Sequence, residues 1–232
     1  MGAIIFRVAV IGFGYWGPNI VRNFSSHQEC EVKYICDLNK EARKRAKILH
    51  PNIEIIDNPD VIFGSKEIDI VAIVTPVSHH YPLAKKALEG GKHIFVEKPL
   101  VETVSQADDL IRISKEKNLV GVVDHTFLFT SAVMKIKEIV DSGEIGEIMY
   151  FDSVRVNLGL FQHDVDVIWD LAPHDLSILY HISKESPVAV TANGIDHINS
   201  GLVDIAYLTL HYANNMIANF HLNWLSPVKV RK

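Results

Sequence analysis

The chain has 232 residues, of which 48% are hydrophobic and 22% charged, and its net charge is −5. That length supports one large or two small domains, each with a substantial core, in a globular chain of ordinary balance. No lysine–arginine block stands out and no apolar run is long enough to span a bilayer, which argues against nucleic-acid and membrane partners. The two cysteines, Cys30 and Cys36, fit neither a disulfide framework nor a zinc spacing, and the first residues lack the pattern of a secretory signal. The expected compartment is therefore reducing and cytoplasmic.

The first predicted strand, Ile4–Ile11, breaks into Gly12-Phe13-Gly14-Tyr15-Trp16-Gly17 and then into a helix-like stretch. A strand that turns this tightly into a helix leaves backbone N–H groups unpaired at the helix start, where they attract anions. In a G-x-G-x-x-G loop, Gly12 serves the tight turn, Gly14 lets a pyrophosphate approach the backbone, and Gly17 lets helix and strand pack closely. Phe13, Tyr15 and Trp16 fill the variable positions of the same cofactor-binding loop. The second predicted strand, Glu31–Cys36, ends in Asp37, about 20 residues beyond Gly17, where an acid accepts hydrogen bonds from the adenosine ribose. A carboxylate there repels a 2′-phosphate, so NAD is favoured over NADP.

A charged helix over Lys40–Leu49 and a short strand at Glu54–Ile56 follow. Asp69–Val74 is an unbroken apolar run after one acid, the mark of a strand buried on both faces of a parallel sheet. Next come a helix over His79–Glu89 closed by Gly90-Gly91, a strand over Lys92–Val96, a helix over Ser105–Lys117 and a short strand at Val120–Val123. Repeated βαβ units predict a doubly wound parallel sheet with helices on both faces, an α/β fold. Ligands of such sheets bind beyond the carboxyl ends of the strands. That rule selects Thr75-Pro76 with His79 and His80 behind it, Glu97-Lys98-Pro99, and Asp124-His125-Thr126. Thr75, Pro76, His80, Glu97, Lys98 and His125 thus become candidate cofactor contacts. Pro99 confines Lys98 to extended backbone, so its side chain projects in a fixed direction. A lysine partly desolvated in a crevice can polarise a hydroxyl or a carbonyl; a solvated lysine paired with Glu97 is the competing reading.

Ala132–Val140 is an amphipathic helix, and from about Glu147 the pattern changes to longer alternating strands. These are Ile148–Asn157, Val188–Gly194, Val203–Tyr212 and Met216–Trp224, the last two joined by Ala213-Asn214-Asn215 as a hairpin. They predict a C-terminal α+β domain on a mostly antiparallel open sheet with one covered face. With the boundary near Asp124–Phe129, the expected domains are 1–125 and 126–232. Arg155 and Asn157 share one strand face just before the Gly159–Asp166 loop and could bond a sugar or phosphate, or be solvated. In Trp169-Asp170-Leu171-Ala172-Pro173-His174-Asp175, Asp170 is expected to cap a helix with Pro173 in its first turn. Asp170 and His174 would then face one side, and the helix start would favour a neutral imidazole able to accept a proton. A histidine that only packs at a helix start is the alternative. None of the twelve histidines falls in a metal-binding pattern, so no metal site is expected.

In combination the motifs resemble the Gfo/Idh/MocA oxidoreductases, the family of glucose–fructose oxidoreductase and inositol dehydrogenase. The resemblance covers nearly the full length. It rests on Val10-Ile11 with the loop Gly12 to Gly17, on Thr75-Pro76 with His80, on Ala87-Leu88-x-x-Gly91-Lys92-His93, on Glu97-Lys98-Pro99 and on Asp170-x-x-x-His174. It implies a Rossmann domain binding NAD(H) or NADP(H), and a C-terminal domain that shapes the substrate site and often an oligomer interface. The implied reaction is reversible hydride transfer between nicotinamide and a hydroxyl-bearing carbon of a sugar, cyclitol or derivative. Lys98 is the motif lysine and His174 the motif histidine, with Asp170 beside it as catalytic residues, and Lys98, Arg155, Asn157 and His174 facing the substrate. Gly12–Asn19 and Trp169–Asp175 look most like the nucleotide-sugar members, the UDP-N-acetylglucosamine and UDP-N-acetylglucosaminuronate 3-dehydrogenases of surface-polysaccharide pathways. The expected partners are a sugar or nucleotide sugar and a second copy of the chain. Family members usually run on past the equivalent of Lys232, so the second domain is expected to be shortened, by nature or as a fragment. An inositol or free-sugar dehydrogenase, and a silent NAD-binding or regulatory protein, are the other readings.

Overall fold

The computed structural model describes residues 5–159, 164–198 and 201–232. The chain divides into two units, Met1–Asp124 and His125–Lys232. The first holds strands β1 (Phe6–Ile11), β2 (Cys30–Cys36), β3 (Glu54–Ile56), β4 (Ile70–Ile73), β5 (His93–Glu97) and β6 (Gly121–Asp124). They form a parallel sheet in the order β3-β2-β1-β4-β5-β6. Helices α1 (Gly17–Ser26), α2 (Lys40–Leu49), α3 (Asp60–Gly64), α4 (His80–Glu89) and α5 (Val104–Glu116) complete the unit.

The apolar run of β1 explains the layering. Val8 and Val10 pack with Ile20, Val21, Ala42 and Ala46 of α1 and α2. Ala9 and Ile11 face the other way, in one cluster with Ala84, Ala87 and Leu88 of α4 and Leu110 and Ile113 of α5. Successive side chains of one strand therefore serve two cores, which is why the run has no polar alternation. Arg7 fixes the lower end of the sheet: its backbone N–H and guanidinium donate to the Asp69 carboxylate at 2.8–3.0 Å. Strand order reverses between β1 and β4, and the register brings Ile11 beside both Cys36 and Ile73. Gly12, Asp37 and Thr75 consequently emerge near one another, at the edge where such folds bind ligands. Helix α3 was not anticipated, because five residues are too few to display a helical period.

The second unit holds α6 (Ser131–Asp141), β7 (Tyr150–Leu158), α7 (Val167–Ser183), β8 (Ala189–Ile195), β9 (Ile205–His211), β10 (Ile217–Asn223) and β11 (Leu225–Arg231). Its sheet runs β11-β7-β10-β9-β8. The pairs β8–β9, β9–β10 and β7–β11 are antiparallel and β7–β10 is parallel. One face is covered by α7, whose Val167, Ala172 and Leu179 pack with Leu208, Leu210, Phe220, Leu222 and Trp224. The hairpin joining β9 to β10 turns at Asn215, which adopts a left-handed backbone (φ 63°) that asparagine tolerates.

Two features differ from expectation. Strand β11 was not anticipated because Pro227 interrupts it; the strand lies on the sheet edge, where a missing N–H is tolerated, and its register shifts between Leu225 and Val230. Helix α7 starts four residues earlier than expected. Asp166 is its N-cap, accepting from the N–H groups of Ile168 and Trp169 at 3.0 Å each. Asp170 therefore lies in the first turn instead of capping, and Pro173 sits inside the helix.

Candidate active site

Each glycine of the turn after β1 has a separate reason to be glycine. Gly12 has φ +102°, and a Cβ there would lie 2.3 Å from the Val74 carbonyl oxygen; a Cβ on Gly17 would lie 2.4 Å from the Gly12 carbonyl oxygen. Gly14 is different, since a Cβ would meet nothing within 4 Å. Its bare backbone faces a crevice of about 360 Å³ lined by Gly12, Asp37, Thr75 and Pro76, with Leu38, Pro59, Pro82 and Leu83 as apolar walls. No side chain caps the start of α1, which leaves that helix end available to an anion.

Asp37 closes the crevice at the end of β2. Its Oδ2 accepts the Phe13 N–H at 2.6 Å and its Oδ1 the Asn39 N–H at 2.7 Å. Each oxygen retains a lone pair for a ribose hydroxyl. These residues fit a dinucleotide: open backbone at Gly14, a bare helix start and an acceptor at the ribose position. Phe13 itself is fully buried, edge-on to His50, and contributes packing rather than a cofactor contact. Tyr15 and Trp16 are exposed, their rings stacked on each other.

His80 was expected to touch the cofactor, yet it is 1% exposed and both ring nitrogens face carbonyl oxygens. Nδ1 lies 2.9 Å from the Pro99 oxygen and Nε2 lies 2.7 Å from the Thr75 oxygen. The imidazole thereby ties the segment after β4 to the segment after β5. There the Lys98–Pro99 peptide is cis, and the Glu97 carboxylate accepts the Lys98 backbone N–H at 3.1 Å. Lys98 is half-buried. Burial, and the Asp124 carboxyl next to it, push the proton affinity of Glu97 up to about 8. Asp124 belongs to the selected segment Asp124-His125-Thr126 but is not itself singled out there as a contact, although it ends an apolar strand just as Asp37 nearly does, and that shared position was the available signal.

In the second unit His174 lies two turns into α7, so the potential of the helix start no longer acts on it. Its ring stands edge-on to Phe127, with centroids 4.8 Å apart. Asp170, one turn earlier, accepts the Trp224 indole N–H at 3.1 Å. Arg155 does not present a free guanidinium. It pairs with Asp175 through two bonds of 2.8 and 2.5 Å, both side chains 7% exposed. The same guanidinium lies 4.5 Å from the Phe127 ring centroid, and that of Arg231 lies 5.3 Å from it. Asn157 is half-buried beside Gly159; the loop that follows lies partly outside the described residues. His125 lines a cavity of about 460 Å³ with Lys137, Tyr180 and His181. Phe127, Trp224 and Arg231 were missed, and no spacing in the sequence marks them.

The strand order, the glycine turn and the placed acid define an NAD-binding Rossmann domain followed by a mixed-sheet domain. Residues 6–125 match the Gfo/Idh/MocA model, an oxidoreductase family with an NAD-binding Rossmann fold, and residues 133–231 match the Gfo/Idh/MocA C-terminal domain. The chain belongs to the Gfo/Idh/MocA oxidoreductase family. It is 31% identical over 180 residues to the uncharacterized oxidoreductase YdgJ of Escherichia coli, covering 72% of this chain and 51% of that protein. It is 28% identical over 219 residues to UDP-N-acetylglucosamine 3-dehydrogenase of Acidithiobacillus ferrooxidans, covering 93% and 66%. GenD2 from gentamicin A biosynthesis, solved in complex with NAD, shares the fold with a TM-score of 0.92 at 19% identity, over 97% of this chain and 67% of that one. The chain thus spans between half and two-thirds of these two curated relatives. Among the described residues, no helix is long and apolar enough to cross a membrane.

Proposed function

We propose that the chain carries an NAD-dependent oxidoreductase activity on a secondary hydroxyl of a sugar, with a nucleotide sugar as the preferred substrate. The observation that supports this most strongly is the open space over Gly14, with Asp37 at one end of the crevice and Lys98 at a neighbouring strand end. Bound NAD supplies the hydride acceptor at C4 of its nicotinamide. Lys98 donates a hydrogen bond to the substrate hydroxyl and stabilises the negative charge that grows on its oxygen. His174 takes the hydroxyl proton on a ring nitrogen, and Asp170, itself held by Trp224, keeps the histidine oriented. Arg155 acts from behind, through Asp175 and Phe127, leaving Asn157 to meet a substrate hydroxyl. The nucleotide-sugar preference is supported by the relative matched over 93% of this chain. A second copy would pair on the sheet face that exposes Tyr150, Tyr207 and Ile217. Two free cysteines are compatible with a reducing, cytoplasmic setting.

A substrate screen followed by nicotinamide absorbance tests the reading. NADH should form with UDP-N-acetylglucosamine or a related UDP-sugar. Activity on free cyclitols and none on UDP-sugars would reassign the chain to polyol oxidation. NADH binding without turnover on any sugar would favour a silent binding protein.

A further inference from the structure

Two carboxyl groups meet where β5 and β6 end. Glu97 and Asp124 are partners in the register of those strands, which brings their side chains together. Glu97 Oε2 is occupied by the Lys98 backbone N–H. Glu97 Oε1 and Asp124 Oδ2 are buried and have no hydrogen-bond partner among the described residues. Two ionised groups there would turn unsatisfied anionic oxygens on each other away from water, an arrangement buried carboxyls avoid by keeping a proton. A single proton resolves both vacancies, because the protonated group donates its O–H to the other. The charges acting on Glu97 have opposite signs: Asp124 from β6 makes its proton harder to remove, and Lys98 in the following loop makes it easier. His80, from α4, is turned to the carbonyls of Thr75 and Pro99 instead.

We propose that Glu97 and Asp124 share one proton and so hold the charge beside Lys98 at a single negative unit, with Asp124 as a positioning residue of the site. The proposal rests on the reading of Lys98 as catalytic. Through neutral pH the pair carries one negative charge near the Lys98 cation. Once the shared proton is lost, a second negative charge appears at the carboxyl ends of β5 and β6, on the edge of the sheet where the dinucleotide is expected. There it repels an anionic ligand and strengthens the hold of Lys98 on its own proton.

The experiment is an infrared difference titration of the whole chain without cofactor or substrate, from pH 6 to pH 10, paired with NADH binding by fluorescence over the same range. A carboxylic-acid C=O band should disappear with a midpoint near 8. NADH affinity should fall through the same step. In Asp124→Asn, both midpoints should move to lower pH, and in Glu97→Gln the step near 8 should be lost. Absence of any carboxylic-acid band at neutral pH in the wild-type chain overturns the proposal, whether or not either variant folds. A step unmoved by both substitutions overturns it as well. Because the titration needs no turnover, it separates from the catalytic reading: a band present while Lys98→Ala turns over normally keeps the shared proton and overturns its link to Lys98.

Discussion

The two units hold their polar groups in contrasting ways. In the first, acids stand at the carboxyl ends of parallel strands and are met by backbone N–H groups: Asp37 by Phe13 and Asn39, Glu97 by Lys98. In the second, the buried pair Arg155 and Asp175 satisfies itself side chain to side chain. At Asp37 the first arrangement leaves carboxylate lone pairs facing a crevice, where a ligand completes them. The second completes itself and is unavailable to a ligand. Exposure of an acceptor follows from strand topology in one unit, while in the other a charged side chain marks internal structure.

The contrast is broken most severely at Gly12. Gly12→Ala puts a methyl against the Val74 carbonyl in a backbone conformation that alanine rarely adopts, so it should cost about 4 kcal/mol or more in a denaturant titration. Gly14→Ala, with open space around it, should change stability by only about 0.5 kcal/mol while weakening NADH binding. Equal stability losses at the two positions would deny that they do different work.

Arg155→Ala should come next. It leaves the Asp175 carboxylate buried and unpaired, at a cost of about 3–5 kcal/mol, with NADH affinity unchanged. An Arg155→Ala protein of normal stability whose sugar KM alone rises would return Arg155 to the substrate site. A smaller effect belongs to Asp37→Ala, which removes the ribose acceptor and a partner of two backbone N–H groups. NADH affinity should fall by about tenfold or more, and NADPH should lose less. The smallest is chemical. Burial, reinforced by Asp37, pushes the Cys36 thiol from 9.0 up to about 12, so alkylation at pH 8 should reach it only after unfolding. Its stabilising contribution is complete below the unfolded thiol value of 9.0 and declines as pH rises toward 12.

Much of the first unit was legible because backbone geometry imposes it. Gly12 and Gly17 are required by contacts of 2.3 and 2.4 Å to carbonyl oxygens, and strands buried on both faces must be continuously apolar. His80 was placed at the right strand end but given the wrong partner, since nothing in the sequence shows that two carbonyls converge on it. Asp124 matters through a neighbour on the adjacent strand, which becomes visible only once register is known. In the second unit the partner of Arg155 lies on a helix twenty residues later, so an alternating strand face looked like a ligand surface. The start of α7 was misplaced because Asp166 and Asp170 both suit a cap, and the apolar pair Val167-Ile168 between them belongs to the helix that Asp166 begins.

The most direct test compares NADH affinity and sugar turnover in the wild-type chain, Lys98→Ala and His174→Ala, on the substrate that the screen identifies. Both variants should still bind NADH, Lys98→Ala more weakly because it removes a positive charge beside Glu97 and Asp124, while turnover drops by about 100-fold or more. Turnover within about threefold of the wild type, roughly 0.7 kcal/mol of barrier, would contradict the role assigned to that residue.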